Sequence, residues 1–359
     1  MERFVCRTEV ISGKDALSAL GQLGCRRMLA VMPPRLLQGD RLTQVRLAAG
    51  QPETEVLEDT DPPATMKQAV EGSRKIAAFQ PDLVVALGDG NTIDLGKAMV
   101  CFSKHPCILA AVPTAFTTGS EVTDSVSLFH QGRRHLLQDE AMRPKLAILQ
   151  ADLTRDLSGS RTAECGFELL ASALESCTAP GTGMLGHLHS REAFAACWAA
   201  LPGAAAGDPG ARHRLQMASV LTGLAGCEQL GLCRAMENSL EAVLGISRGK
   251  AAAIVLPAVV GCNAHAAGRQ YAQLSRAAGL GGSRADLGSR NLRSGLIRLR
   301  RELGLPGTLL QAGVDIRRIW NSGRRIVELT LEDASCRNNP VAVDDFLVRR
   351  LLEEITGQY

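Results

Sequence analysis

The sequence predicts an α/β amino-terminal domain, doubly wound with a mostly parallel, Rossmann-like sheet, followed by an all-α carboxy-terminal domain. Two observations carry this reading. Up to about residue 155, short β-rich runs alternate with helix-like stretches. Runs such as LVVAL at 83–87 and LAIL at 146–149 are apolar at every position, as strands covered by helices on both faces must be. Beyond about residue 156 such runs cease, and Ala, Leu, Glu and Arg recur at helical spacing.

Strands are expected at 28–32, 54–58, 83–87, 108–112 and 146–149, each separated from the next by chain enough for a crossover helix. Helices are expected through ECGFELLASALES, SRGKAAAIVLPAVV and VDDFLVRRLLEEI, while the Gly- and Pro-rich stretch 201–210 reads as a surface loop. The domains are therefore expected at 1–155 and 156–359, which suits a chain of 359 residues. Ligands of parallel sheets bind at the carboxyl ends of the strands, and a cleft between the domains is the expected site.

Composition narrows the function classes. Lys plus Arg number 40 against 37 for Asp plus Glu, and aromatic residues make up 3%, so neither a basic surface nor stacking platforms suggest nucleic acid. The eleven cysteines include no CxxC pair, which argues against a thiolate metal site or a disulfide framework and fits a reducing cytosol. No signal-like apolar core and no apolar run of membrane-span length stand out, so a cytoplasmic protein without a membrane partner is expected.

The run at 83–87 leads directly into Gly88, Asp89, Gly90 and Asn91, and then into a helix carrying Asp94 and Lys97. Such a turn suits an anion: glycines let backbone amides approach phosphate oxygens, Asn91 is a good N-cap, and a helix amino terminus offers free N–H groups. The same arrangement also occurs as plain structure in α/β proteins, and a carboxylate at Asp89 would repel a pyrophosphate. Residues 112–123, VPTAFTTGSEVT, follow another buried strand and supply five hydroxyls in twelve residues. They could hold a ribose or nicotinamide, or simply cap their own backbone.

In this order and spacing the two segments resemble the GGGSxxDxxK and PTTxGTGSE signatures of the iron-containing (group III) alcohol dehydrogenases. The resemblance continues through PKLAILQADLT at 144–154, the helix at 165–176, the segment 234–257 and CRNNP at 336–340. It implies the two-domain dehydroquinate-synthase-like fold, usually a homodimer. It also implies NAD or NADP bound near Gly88, Asp89, Gly90, Asn91, Asp94, Lys97, Thr114, Thr117, Gly119 and Ser120. In the helical domain it implies iron or zinc held by one Asp and three His.

At those four metal positions this chain has Glu168, Ser172, Arg234 and Arg248, and a further motif histidine falls at Asn238. Arginine cannot ligate a cation and serine is a poor neutral donor, so neither iron nor zinc is expected. Pro33 and Pro34 stand where relatives place an Asp for the adenosine ribose, and Phe116 and Thr117 replace small residues, so any NAD or NADP binding is expected to be weak. Glu168 with Arg234 and Arg248 sums to about +1, the charge of one Asp with a divalent metal. The two guanidiniums could orient an anionic or carbonyl substrate, or the set could fill a vacated cavity as a buried salt bridge.

Three functions remain open at this point. One is nicotinamide-dependent interconversion of a short-chain aldehyde and alcohol without the metal. Another is a catalytically inactive member with a structural or regulatory role, as a homodimer or beside a related dehydrogenase. The third is a lyase or cyclase like the dehydroquinate synthases. The overall resemblance is strongest to dehydrogenases that accompany bacterial microcompartments, which makes association with one part of the expectation.

Overall fold

The computed structural model describes residues 6–59, 63–116, 118–226 and 230–357. The chain divides into two compact units, one ending at Leu157 and the other starting at Ser158.

In the first unit, β1 (Glu9–Ser12), β2 (Arg27–Met32), β3 (Glu53–Glu58), β4 (Leu83–Gly88), β5 (Ile108–Pro113) and β8 (Leu146–Leu149) form one parallel sheet in the order β1-β8-β5-β4-β2-β3. Alternate side chains serve opposite faces, which is why these strands read as continuously apolar. Met28, Ala30, Leu83 and Val85 pack on one face with Leu36 of α1 (Pro34–Leu37) and Val45 of α2 (Arg41–Ala48). Leu29, Val31, Val84 and Ala86 pack on the other with Ile76 of α3 (Met66–Phe79) and Ile93 and Met99 of α4 (Gly90–Ser103). The chain builds outward from β2 to β3, then returns to place β4 on the far side of β2. The carboxyl ends of β2 and β4 therefore flank a topological switch point, where a doubly wound fold opens a crevice.

Two features went unanticipated. β1 adds an edge strand of four residues, too short to stand out as a run. β6 (Ser125–His130) and β7 (Arg133–Gln138) form an antiparallel hairpin whose inner side chains, Val126, Leu128 and Leu137, join the α3/α4 face. Its two-residue turn, Gln131 and Gly132, takes φ values of 48° and 81°, the left-handed pair that a tight hairpin requires.

The second unit is helical throughout its described residues: α5 (Gly159–Thr178), α6 (Met184–Ala205), α7 (Pro209–Leu224), α8 (Leu232–Leu244), α9 (Arg248–Ala277), α10 (Ala285–Glu302), α11 (Ile316–Glu332) and α12 (Asp345–Thr356), with short 3-10 turns. Two expectations are corrected here. The stretch 201–210 is not a loop, because α6 continues through Pro202 and α7 starts at Pro209. Pro202 lies in the last turn of α6, where its missing N–H leaves the Trp198 carbonyl without its helical donor, yet the helix runs on to Ala205 because Leu201 and Ala204 are fully buried. Helix α9 is long and apolar enough by composition to cross a membrane, contrary to the sequence reading, but 72% of its apolar window is buried, as in the central helix of a core.

Candidate functional site

In the first unit the turn after β4 is built from close contacts. A Cβ at Gly88 would run into the side chain of Thr92, and one at Gly96 would lie 2.8 Å from the Ala86 Cβ, so these glycines let α4 lie directly on its strand. The helix cap is Asp89, not Asn91 as the sequence suggested. The Asp89 carboxylate accepts hydrogen bonds from the amides of Asn91 at 3.0 Å and Thr92 at 3.4 Å. Gly90 and Asn91 are already helical, and the Asn91 side-chain carbonyl accepts from Arg134 Nη2 at 3.3 Å. Asp89 stands one residue before the helix, so its side chain reaches the free amides; Asn91, of the same length, stands two positions too late.

Asp94 and Lys97 are occupied within the protein. Lys97 is fully buried and donates to the carbonyls of Ser120 at 2.9 Å and Ser125 at 2.6 Å and to the Thr123 hydroxyl at 3.1 Å. Asp94 accepts from the Ser120 hydroxyl and from the Ser127 amide at 2.9 Å. The pair thus fastens the hydroxyl-rich loop and the first hairpin strand to α4, so the polar heads of Asp94 and Lys97 are spent on positioning. Gly119, at φ 93°, turns the chain into that loop. Thr117 lies outside the described residues. At the end of β5 the Thr114 amide donates to the Gly88 carbonyl at 2.8 Å, and the Thr114 hydroxyl is buried with no hydrogen-bond partner, so it could pair with a polar group of a ligand. Gly88, Thr114 and Gly119 could line a nucleotide seat, no observation speaks for Gly90, and Asp89 counts against the phosphates. Pro33 and Pro34 open α1, with Pro34 at the first helical position.

In the second unit the four positions that the resemblance assigns to a metal converge. Arg234 on α8 donates from Nη1 to Glu168 Oε1 at 3.0 Å and from Nη2 to the Ser172 hydroxyl at 2.8 Å. Arg248, the first residue of α9, brings its Nη2 to within 2.8 Å of the same Glu168 oxygen. Asn238, where a further motif histidine falls, donates to Asp333 at 2.9 Å.

Sequence reasoning missed two partners of Arg234. Glu237, three residues on along α8, places Oε2 3.1 Å from Arg234 Nη1 and accepts from the Cys233 thiol at 3.4 Å through Oε1. Glu175 on α5 accepts from the amides of Cys233 at 2.6 Å and Arg234 at 3.2 Å, capping α8 where Gly231 has no side chain to do so. The spacing of Arg234 and Glu237 is that of a helical ion pair and was readable; the cap was not.

The electrostatics follow from burial. Desolvation would raise Glu168, but Arg248 and Arg234 overcome it and hold the carboxyl at about 2. Glu237 meets the same desolvation with poorer compensation and is pushed up to about 8, so it keeps its proton at neutral pH. Its Oε2 lies 3.1 Å from Arg234 Nη1 but outside hydrogen-bond geometry, so the compensation is partial. Burial likewise raises Glu175, against the pull of the amides it accepts from.

A metal does not fit this set. Among the described residues no group of three or more His, Cys, Asp or Glu side chains stands where an ion could be held. Both terminal nitrogens of Arg234 lie between Glu168 and Ser172, so cationic donors take up the very atoms that would have to face a cation.

Comparison with known proteins agrees with the geometry of the fold. Residues 7–151 match the family described as iron-containing alcohol dehydrogenase, and residues 162–356 match its carboxy-terminal counterpart. The chain is 28% identical to the 1-propanol dehydrogenase PduQ of Salmonella typhimurium over 369 residues, covering 99% of this chain and 100% of that one. The structure of an iron-containing alcohol dehydrogenase from Thermococcus thioreducens superposes with a TM-score of 0.90 at 24% identity, covering 99% of this chain and 100% of that one. Sulfoacetaldehyde reductase from Bifidobacterium kashiwanohense, solved in complex with NAD+, does so with a TM-score of 0.87 at 20% identity over 100% of both chains.

Proposed function

The chain belongs to the iron-containing alcohol dehydrogenase family, whose members interconvert alcohols and aldehydes, and we propose that it is a catalytically silent member that keeps the fold for a structural or regulatory role. The observation that supports this reading is the state of Arg234. Its guanidinium is buried and engaged by Glu168, Ser172 and Glu237 at the position where relatives carry a metal ligand. A side chain held in this way is neither a ligand for iron or zinc nor a donor for a substrate carbonyl. On this reading the protein assembles as a homodimer or beside a related dehydrogenase, in the cytoplasm and in association with a bacterial microcompartment. It binds NAD or NADP weakly.

The test is elemental analysis of protein purified after growth with iron and zinc, together with NADH- and NADPH-dependent reduction of propanal and other short aldehydes. Metal well below one equivalent and no turnover are expected. Near-stoichiometric metal that is lost in Glu168→Ala would overturn the reading.

A second reading has one observation in its favour. Glu168 and Arg248 keep 16% and 18% of their side chains exposed, against 7% for Arg234. Arg248 is thus the member of the cluster that a small aldehyde or keto acid could reach, and the chain would then be a metal-free nicotinamide-dependent reductase.

A further inference from the structure

The nucleotide seat of the first unit has its own anion. A helix amino terminus leaves its first amides unpaired and carries a partial positive charge, so it attracts a phosphate or a carboxylate. In α4 two of these amides, those of Asn91 and Thr92, are taken by the Asp89 carboxylate, and the Ile93 amide, at 3.0 Å from the Asp89 carbonyl, makes the first bond of the helix ladder. A second carboxylate stands at the same turn: Asp59, at the end of β3 and 7% exposed, accepts the Thr92 hydroxyl at 2.6 Å.

We propose that Asp89 is the specificity-determining residue of this seat and that it excludes diphosphates by occupying their place on the α4 amides. The occupant is part of the chain, so it is always present at the helix end, and any incoming phosphate has to displace it while facing Asp59 as well. The arrangement parallels the second unit, where Arg234 and Arg248 supply over Glu168 the positive charge that a metal would bring. In both places a side chain of the protein provides the charge that relatives take from a ligand. The inference rests on the reading of the chain as a member that has given up its ligands, but its test lies entirely in the other unit.

The experiment is titration calorimetry of the full chain with inorganic pyrophosphate and with ADP, using the natural protein, Asp89→Asn and Asp89→Gly. Asparagine keeps a neutral cap on the amides, whereas glycine removes both cap and charge at little cost to a helix start. Affinity for both probes should rise in the order natural protein, Asp89→Asn, Asp89→Gly. The full step should be about tenfold or more and should shrink as salt is raised. Pyrophosphate should also raise the melting temperature of Asp89→Gly and leave that of the natural protein unchanged. Equal affinity of all three proteins overturns the proposal. Equal gains in the two variants overturn occupancy and leave only repulsion at a distance. Should Asp89→Gly fail to fold, Asp89→Asn decides alone, and no gain there counts against the proposal. Metal found in the second unit would refute the silent-enzyme reading without altering the order expected here.

Discussion

Arg234 and Ser172 face each other across α8 and α5, Nη2 donating to Oγ at 2.8 Å, and the Ser172 hydroxyl in turn donates to the Glu168 carbonyl one turn back at 2.9 Å. With Nη1 on the Glu168 carboxylate, the planar fork of the guanidinium grips a single turn of α5 at two points, which lysine could not do.

Removing that fork should leave Glu168 buried and under-compensated. Arg234→Ala is expected to cost on the order of 3 kcal/mol or more, because breaking a buried pair from one side strands the other charge. Adding Glu168→Gln should recover part of the loss. Urea denaturation of the four proteins of this cycle measures it, and strict additivity would show that the two residues do not couple.

Arg248 separates the two functional readings. Arg248→Lys keeps a positive charge beside Glu168 but loses the guanidinium geometry, so on the silent-enzyme reading the melting temperature should hold and neither protein should reduce an aldehyde. NADH-dependent aldehyde reduction by chelator-treated natural protein, abolished in Arg248→Lys with the fold intact, would establish a metal-free dehydrogenase.

The two carboxylates of the cluster push stability in opposite directions with pH. Glu168 is lowered from 4.5 to about 2, so its contribution is present above the unfolded value and is lost as pH falls through the folded one. Glu237 is raised from 4.5 to about 8, so the folded state keeps a proton that the unfolded chain releases, and stability declines as pH rises across that interval. Glu237→Gln should flatten the decline between these values in melting curves recorded against pH. A natural protein whose melting temperature climbs over the same interval, unchanged by the variant, would contradict this assignment.

Lys97 holds three residues of one stretch, Ser120, Thr123 and Ser125, with one ammonium group. Lys97→Met fills similar volume but leaves those acceptors unpaired, at roughly 1–3 kcal/mol for each one that water cannot reach. Limited proteolysis should then cut first within residues 119–125, and an unchanged digestion pattern would show that the loop holds its position without the lysine.

Much of the fold was legible because the relevant signals are local. The strands at 83–87 and 146–149 announce themselves by apolar side chains on both faces, and the crossovers between them follow from length. The hairpin escaped notice because β7, RRHLLQ, is largely exposed and polar, although Gln131–Gly132 is a turn signal. Helix α6 was cut short by Pro202, whose position in the last turn only the structure reveals. At the site, the four substituted positions were readable by resemblance, and their charges suggested a pairing. Which side chain caps α4 turns on a shift of two residues in where the helix starts, and that Glu175 caps α8 from a different helix depends on a contact 58 residues apart that no periodicity encodes.

The Glu175 cap also bears on how the second unit comes apart. Glu168 and Ser172 hold the Arg234 side chain and Glu175, on the same side of α5, holds the first amides of α8, so neither helix can fray at this end without releasing the other. The two helices should therefore open as one cooperative block, and the amides of Cys233 and Arg234, which start a helix and would ordinarily exchange quickly with solvent deuterium, should exchange as slowly as the middle of α5.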